Sequence, residues 1–306
     1  MAAQQIIQLS AINVALNPHP DGIYERMIRA VYRRRIAGHV FADRHGVFSQ
    51  IHAVAQNGRI IAFEGVISTF VKLDSDLPWF NAETASDASE EELEAIRDIP
   101  DHLKPNHRQC AFYFDLSSHT FIFESLPRKG GITAKQMLHF LQQSFLHPEI
   151  TQHFGIAQLT VIPDRKSFEE VIRWPKIRSL YIEAHRPNPD FDEDDLQDFE
   201  QSLDDQNAKR LDMRLVAKDD AFLVPSEKVQ VLAAIASENG YVEARGEDAT
   251  GHSEVRSTKD RKPLVERDAF DPDAETSWDA FRRVAQNTVR GIRDRRRQIR
   301  PAREQS

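Results

Sequence analysis

The sequence predicts an α+β protein in which antiparallel hairpins are mixed with helices and a long basic amphipathic helix closes the chain. Three observations carry that prediction. Asn57-Gly58 joins two alternating apolar stretches, and both central positions of a type I′ hairpin turn need the positive φ that Asn and Gly tolerate. Phe112, Phe114, Phe121 and Phe123 alternate around a short polar break, as the half-buried face of a second hairpin requires. Strands and helices follow one another without regular βα alternation, which argues against a wound parallel sheet.

Taken in order, residues 6–16 alternate as a strand, and Asn17-Pro18-His19-Pro20-Asp21-Gly22 breaks it. Residues 23–37 set Ile23, Met27, Ile28, Val31 and Ile36 at helical spacing, with Arg26, Arg29 and Arg33 stacked on another face. Residues 47–56 and 59–71 are the arms of the first hairpin, and 109–116 and 119–124 those of the second. A helix over 133–146, a strand over 156–162, a short helix over 167–173 and a strand over 177–184 lead to the Pro187-Asn188-Pro189 break. Beyond it, 211–217, 227–238 and 241–244 read as strand, helix and strand, and 252–257 is expected to pair back onto the last of these.

Residues 260–275 are polar and turn-rich and read as a linker. Residues 277–297 form the final helix, with Trp278, Phe281, Val284, Ala285, Val289 and Ile292 as its apolar stripe and a cap at Thr276 or Ser277. The expected organisation is an α+β domain over 1–175, a smaller α+β domain over 176–265, and a linker with the basic helix over 266–306. An apolar stripe with no domain of its own to cover argues for a homodimer.

Composition excludes several classes. A 40% hydrophobic content permits a core and excludes wholesale disorder. A mean hydropathy of −0.53, with no apolar run near the roughly 20 residues of a membrane crossing, excludes a transmembrane helix. The opening residues carry no secretory pattern, so a cytoplasmic protein is expected. The single cysteine, Cys110, removes any intrachain disulfide or cysteine-based zinc site.

The net charge of −8 averages over unlike segments. Between Phe281 and Ser306, nine arginines stand against Asp294 and Glu304, a local +7 that leaves −15 for the remainder. A basic arm on an acidic body either seeks an external polyanion or folds back on its own acids. Acids cluster at Glu83 to Glu94 and again at Asp190 to Asp205. The second cluster opens like a calcium loop, but no glycine stands at its sixth position and Gln201 occupies its twelfth, so acids favoured by a helix dipole are the simpler reading.

Candidate chemistry is sparse. His39, Asp43, His45 and His52 lie close in sequence but match no metal-ligand spacing, and no metal or cofactor is expected. Asp164 after Pro163, with Glu183 and His185 at the next strand's end, is similar in order to a Pro-Asp … Asp/Glu-x-Lys nuclease pattern, with histidine where lysine is expected. No nucleophile elbow, Walker loop or dinucleotide fingerprint is present. Three basic groups have a geometric reason to act together: Arg26, Arg29, Arg33, Arg34 and Arg35; Arg256, Lys259, Arg261 and Lys262; and Arg290, Arg293, Arg295, Arg296 and Arg297. Arginine forks match phosphate oxygens, so these residues are the candidate nucleic-acid contacts.

Ile12-Asn13, Pro18-His19-Pro20 with Tyr24, Asp43-Arg44-His45, Gly65 and Pro78-Trp79-Phe80-Asn81 span roughly the first 80 residues. In them the chain resembles an uncharacterised bacterial family, labelled only as a domain of unknown function, that occurs near mobile elements and phage-defence loci. The order of elements over 177–264 is similar to that of the RexA and KwaB types of phage-exclusion and defence protein. The resemblance implies DNA association in antiviral defence, DNA rather than RNA, with a possible defence-system partner protein and no catalytic residue to transfer. The expectation is therefore a non-enzymatic nucleic-acid-binding protein; the alternatives are a metal-dependent nuclease using Asp164, Glu183 and His185, and a protein-interaction subunit.

Overall fold

The structure, a computed structural model, describes residues 4–17, 20–72, 77–125, 131–186, 193–259 and 262–298. The fold is α+β, with every strand pairing antiparallel. Its main sheet is built from β1 (Gln5–Ala15), β2 (Gly38–Phe41), β3 (Arg44–Gln56), β4 (Arg59–Val71), β7 (Arg108–Asp115), β8 (Thr120–Glu124), β9 (Gln158–Val161) and β14 (Glu266–Phe270). They run in the order β14-β1-β8-β7-β4-β3-β2, with β9 also on β1, and the sheet is curled into a half-barrel. Asn57 and Gly58 adopt φ of 51° and 77°, the conformation a two-residue β3–β4 turn demands.

Helices α1 (Ile23–Arg34), α3 (Ala134–Phe145) and α4 (Pro148–Phe154) pack on one face of this sheet. Phe48, Phe63, Phe112, Phe114, Phe121 and Phe123 point to that side and are fully buried. The other face is covered as well, by α8 (Ser277–Gln298). Its stripe of Phe281, Val284, Ala285, Val289 and Ile292 packs on Ile7, Leu9, Ala11, Tyr113 and Ile122. The face expected to be half-buried thus belongs to a sheet buried on both sides, and the last helix has a domain to cover after all: its own. The apolar stripe of α8 gives no ground for a dimer.

The expected linker is also different. Within it β14 pairs with β1 from Gln5↔Phe270 to Leu9↔Glu266 and forms the edge of the main sheet. A polar five-residue strand carries little apolar signal of its own, because an edge strand contributes mainly backbone hydrogen bonds.

A second, four-stranded sheet runs in the order β11-β10-β12-β13: β10 (Ile177–His185), β11 (Arg210–Val216), β12 (Gly240–Glu247) and β13 (Ser253–Ser257). One face carries a separate core with α5 (Arg165–Ile172), α6 (Glu193–Asp205) and α7 (Glu227–Glu238), built on Trp174, Leu180, Ile182, Phe199, Leu232 and Val242. The two units meet where Asn13 of β1 donates to Asn239 Oδ1 at 2.8 Å and to the Glu238 carbonyl.

Between β4 and β7 the chain makes an excursion that carries the hairpin β5 (Phe80–Asn81) and β6 (Ser86–Asp87) and the helix α2 (Glu90–Arg97). The helix begins with a complete capping box in which Ser89 and Glu92 exchange hydrogen bonds.

Cys110 is buried, and burial followed by the nearby Glu124 carboxylate pushes its thiol far above the ordinary range. The thiol is expected to resist a thiol-reactive dye in the native protein and to react once the chain is unfolded in denaturant. Rapid labelling without denaturant would contradict this packing.

Candidate nucleic-acid interface

The described arginines divide by what already holds them. On α8, Arg282 makes a bidentate pair with Glu64 at 2.8 and 2.5 Å, although 218 residues separate them. Arg283 binds Asp268 and Glu275. Arg293 binds Asp115 at 2.7 Å and also Ser117. Arg296, its side chain only 3% exposed, binds Glu238 at 2.7 Å, the Ser118 carbonyl at 2.8 Å and Asn13 Oδ1 at 3.4 Å. The helix therefore folds back onto the acidic body through four of its arginines. Tyr113 beneath it has its phenol pushed up to about 12, by burial first and by Asp115 and Glu64 next.

Arg290 is exposed, and Arg295 donates to the Gly291 carbonyl of its own helix. The Arg297 side chain and Arg261 lie outside the described residues. Arg256 pairs with Glu254, lies 4.2 Å from the Trp174 ring centre and reaches the Glu170 carbonyl. Lys259 sits 3.4 Å from the Tyr241 ring centre. Lys262 is exposed, and its carbonyl accepts the Asp164 N–H.

Helix α1 is different. Its inner face buries Ile23, Tyr24, Met27, Ile28, Ala30 and Val31. Arg26 donates to the Asp21 carbonyl, and Arg29 pairs with Glu25 and stacks over Phe63. Arg33, Arg34 and Arg35 follow at the C-terminal end, where the helix dipole favours cations, and all three are exposed. Arg34 meets Glu149 at 3.1 Å in an exposed pair that contributes little to stability. Arg35 takes up a left-handed conformation at φ 52° and closes the helix.

Beside Arg35 opens a groove of about 860 Å³. It is lined by the apolar residues Ala37, Val47, Phe70 and Leu103 and by Arg35, Lys104, His102 and His107, with one acid, Asp101. The 101–107 segment is held there by Arg44, which is buried and donates to Thr69 Oγ1 at 3.1 Å and to the Asn106 carbonyl at 3.0 Å. Val71 N–H bonds the Pro105 carbonyl, and His107 meets Ser68 Oγ at 2.9 Å. Burial, and then the neighbouring Arg108 cation, lower the pKa of Arg44 from its ordinary value. Arg35 and Lys104 outnumber Asp101 in the groove lining, an arrangement that suits an anion.

The nuclease triad is not assembled in one place. Glu183 and His185 share one face of β10, 3.0 Å apart, with Arg210 at 3.7 Å from the other carboxylate oxygen. Asp164 stands at the start of α5 and lines a different groove, of about 510 Å³, with Arg267, Asn287 and Arg295. Among the described residues no group of three or more His, Cys, Asp or Glu is placed to hold a metal. His39 engages Ala42 O with one ring nitrogen and His139 Nε2, at 3.0 Å, with the other, while His52 lies exposed farther along β3. His139, on α3, was invisible to any reading of local spacing. The start of the calcium-like loop, Asp190 and Asp192, lies outside the described residues.

The family described as Domain of unknown function (DUF4747) matches residues 5–286. This chain belongs to that family. The DUF4747 match includes α1, the groove and the β4–β7 excursion, and it ends within α8. No curated protein matches the chain. Among the described residues of this DUF4747 chain, no helix is long and apolar enough to cross a membrane.

Proposed function

We propose that the protein binds nucleic acid through the end of α1 and the groove beside it, as a non-enzymatic, cytoplasmic component of an antiviral defence system. The observation that carries this reading is the division of the arginines. Those of α8 are largely held by the protein's own carboxylates, whereas Arg33, Arg34 and Arg35 stand exposed beside a groove lined by Lys104, His102 and His107. Arg34 meets only the exposed Glu149 carboxylate and Arg35 the Tyr32 ring, partners that leave their charge open to solvent and able to neutralise phosphates. The contact is with the backbone, so sequence preference is expected to be weak. The preference for DNA over RNA and the defence role rest on the resemblance of the sequence.

Fluorescence anisotropy with labelled duplex DNA, single-stranded DNA and duplex RNA tests this. If about three phosphates are engaged, the log–log salt slope on duplex DNA is about −3. Changing Arg33, Arg34 and Arg35 together to alanine is expected to weaken binding by about tenfold or more near 100 mM salt and to make the slope shallower by about 2 to 3. An unchanged slope would place the interface elsewhere. Magnesium is expected to leave the bound DNA uncut, and cleavage would restore the nuclease reading.

A further inference from the structure

From Leu77 to His107 the chain contains two short strands and a capped helix, yet none of its residues is buried. Leu77, Phe80, Ile99 and Leu103 are between 43% and 67% exposed. Trp79, Leu93 and Ile96 are no more than half-buried. Secondary structure without a fully buried side chain has little to stabilise it alone, and exposed apolar side chains gathered on one segment mark a surface that meets another molecule. The same segment carries eight acids against Arg97 and Lys104, a local −6.

We infer that this segment is a dimerisation arm that docks on a second copy of the chain, where its acidic helix meets the basic end of α1 and Leu77, Phe80 and Ile99 meet the apolar lining of the groove. Two arms meeting each other would set −6 against −6, so each arm must find a basic surface on its partner. Every copy carries one: Arg35, which lines the groove with Val47 and Phe70, and the exposed Arg33 and Arg34 that precede it at the end of α1. The base of the arm lines its own groove through His102, Leu103 and Lys104. Two copies related by a twofold axis can therefore exchange arms reciprocally, which closes the assembly at a dimer. Docked arms also cover the cations assigned above to phosphate, so nucleic acid and arm compete for one surface. The self-association itself needs no nucleic acid.

Analytical ultracentrifugation of the full chain, free of nucleic acid, tests the inference. The wild type is expected to sediment as a dimer at about 50 μM chain, with the dimer dissociation constant rising about tenfold or more between about 50 and 500 mM salt. A monomer throughout overturns it. Two charge variants locate the contact: one carries Glu83→Lys, Glu91→Lys and Glu94→Lys, which brings the arm from −6 to 0 and leaves Glu92 to cap α2, and the other carries Arg33→Glu, Arg34→Glu and Arg35→Glu. Each alone is expected to be monomeric with an unchanged circular dichroism spectrum, and an equimolar mixture to form a heterodimer, because there the native acidic arm of the groove variant meets the native basic groove of the arm variant, and the introduced lysines meet the introduced glutamates. Variants that dimerise alone, or a mixture that stays monomeric, overturn the inference. The arm variant retains the α1 cations, so its anisotropy with duplex DNA reports on nucleic-acid binding independently of dimerisation.

Discussion

Replacing Arg296 by alanine is expected to destabilise the protein by about 3–5 kcal/mol, the usual cost of breaking a buried ion pair from one side. The guanidinium ties α8 to the start of β8, to β1 and to the end of α7 at once, through the Ser118 carbonyl, Asn13 and Glu238. Its removal leaves the Glu238 carboxylate, 12% exposed, without its cation. It also deprives the Ser118 carbonyl of a donor in a buried setting, which adds to the cost. Urea denaturation followed by circular dichroism measures the loss, and a change under about 1 kcal/mol would mean that water replaces the guanidinium freely. Pairing the change with Glu238→Leu is expected to recover part of the loss, since the stranded charge is then gone. For the same reason a truncation at residue 290 removes Ile292 and Arg296 from the body, and it tests stability rather than DNA binding alone.

The second large effect is expected at Gly65. A Cβ there would lie 2.0 Å from the Gln50 carbonyl oxygen and 2.7 Å from its carbon, where the β3–β4 register shifts between Phe48 and Gln50. The obstacle is backbone in the middle of a sheet, and it cannot rotate away as a side chain would. Gly65→Ala is expected to cost about 3–4 kcal/mol and to lower Tm by about 5–6 °C, by the scaling for a chain of this size. Differential scanning calorimetry reads the shift, and a fall of less than about 2 °C would show that the bulge absorbs a methyl group. Accelerated labelling of Cys110, which pairs with Ile67 across the β4–β7 ladder, is expected alongside it.

Much of the local structure was legible in the residues. Asn57-Gly58, the alternating phenylalanines and the stripe of α8 act within a few positions of themselves, through turn conformation and periodicity. The α1 arginines were legible for the same reason, because helical spacing places them together. The rest of the candidate site was not. Lys104, His102 and His107 lie some seventy residues beyond Arg35 and reach it because Arg44 pins the Asn106 carbonyl to β4. His139 meets His39 across a similar gap.

The sequence by itself determined the fold class, the hairpin turns, the position and polarity of the last helix, and the excess of arginine at that end. Tertiary structure decided what those arginines do. A basic helix on an acidic body has two electrostatic outcomes, and local spacing does not distinguish them. The choice depends on whether carboxylates stand where the docked helix needs them, and Glu64, Asp115, Glu238 and Asp268 do so from strands and helices scattered through the chain. The apolar stripe fixed the docked face of α8 against β1, β7 and β8, and the pairing charges followed that contact. At the end of α1, Arg34 meets Glu149 in an exposed pair and Arg35 lies over the Tyr32 ring, contacts that leave these cations open to an external anion.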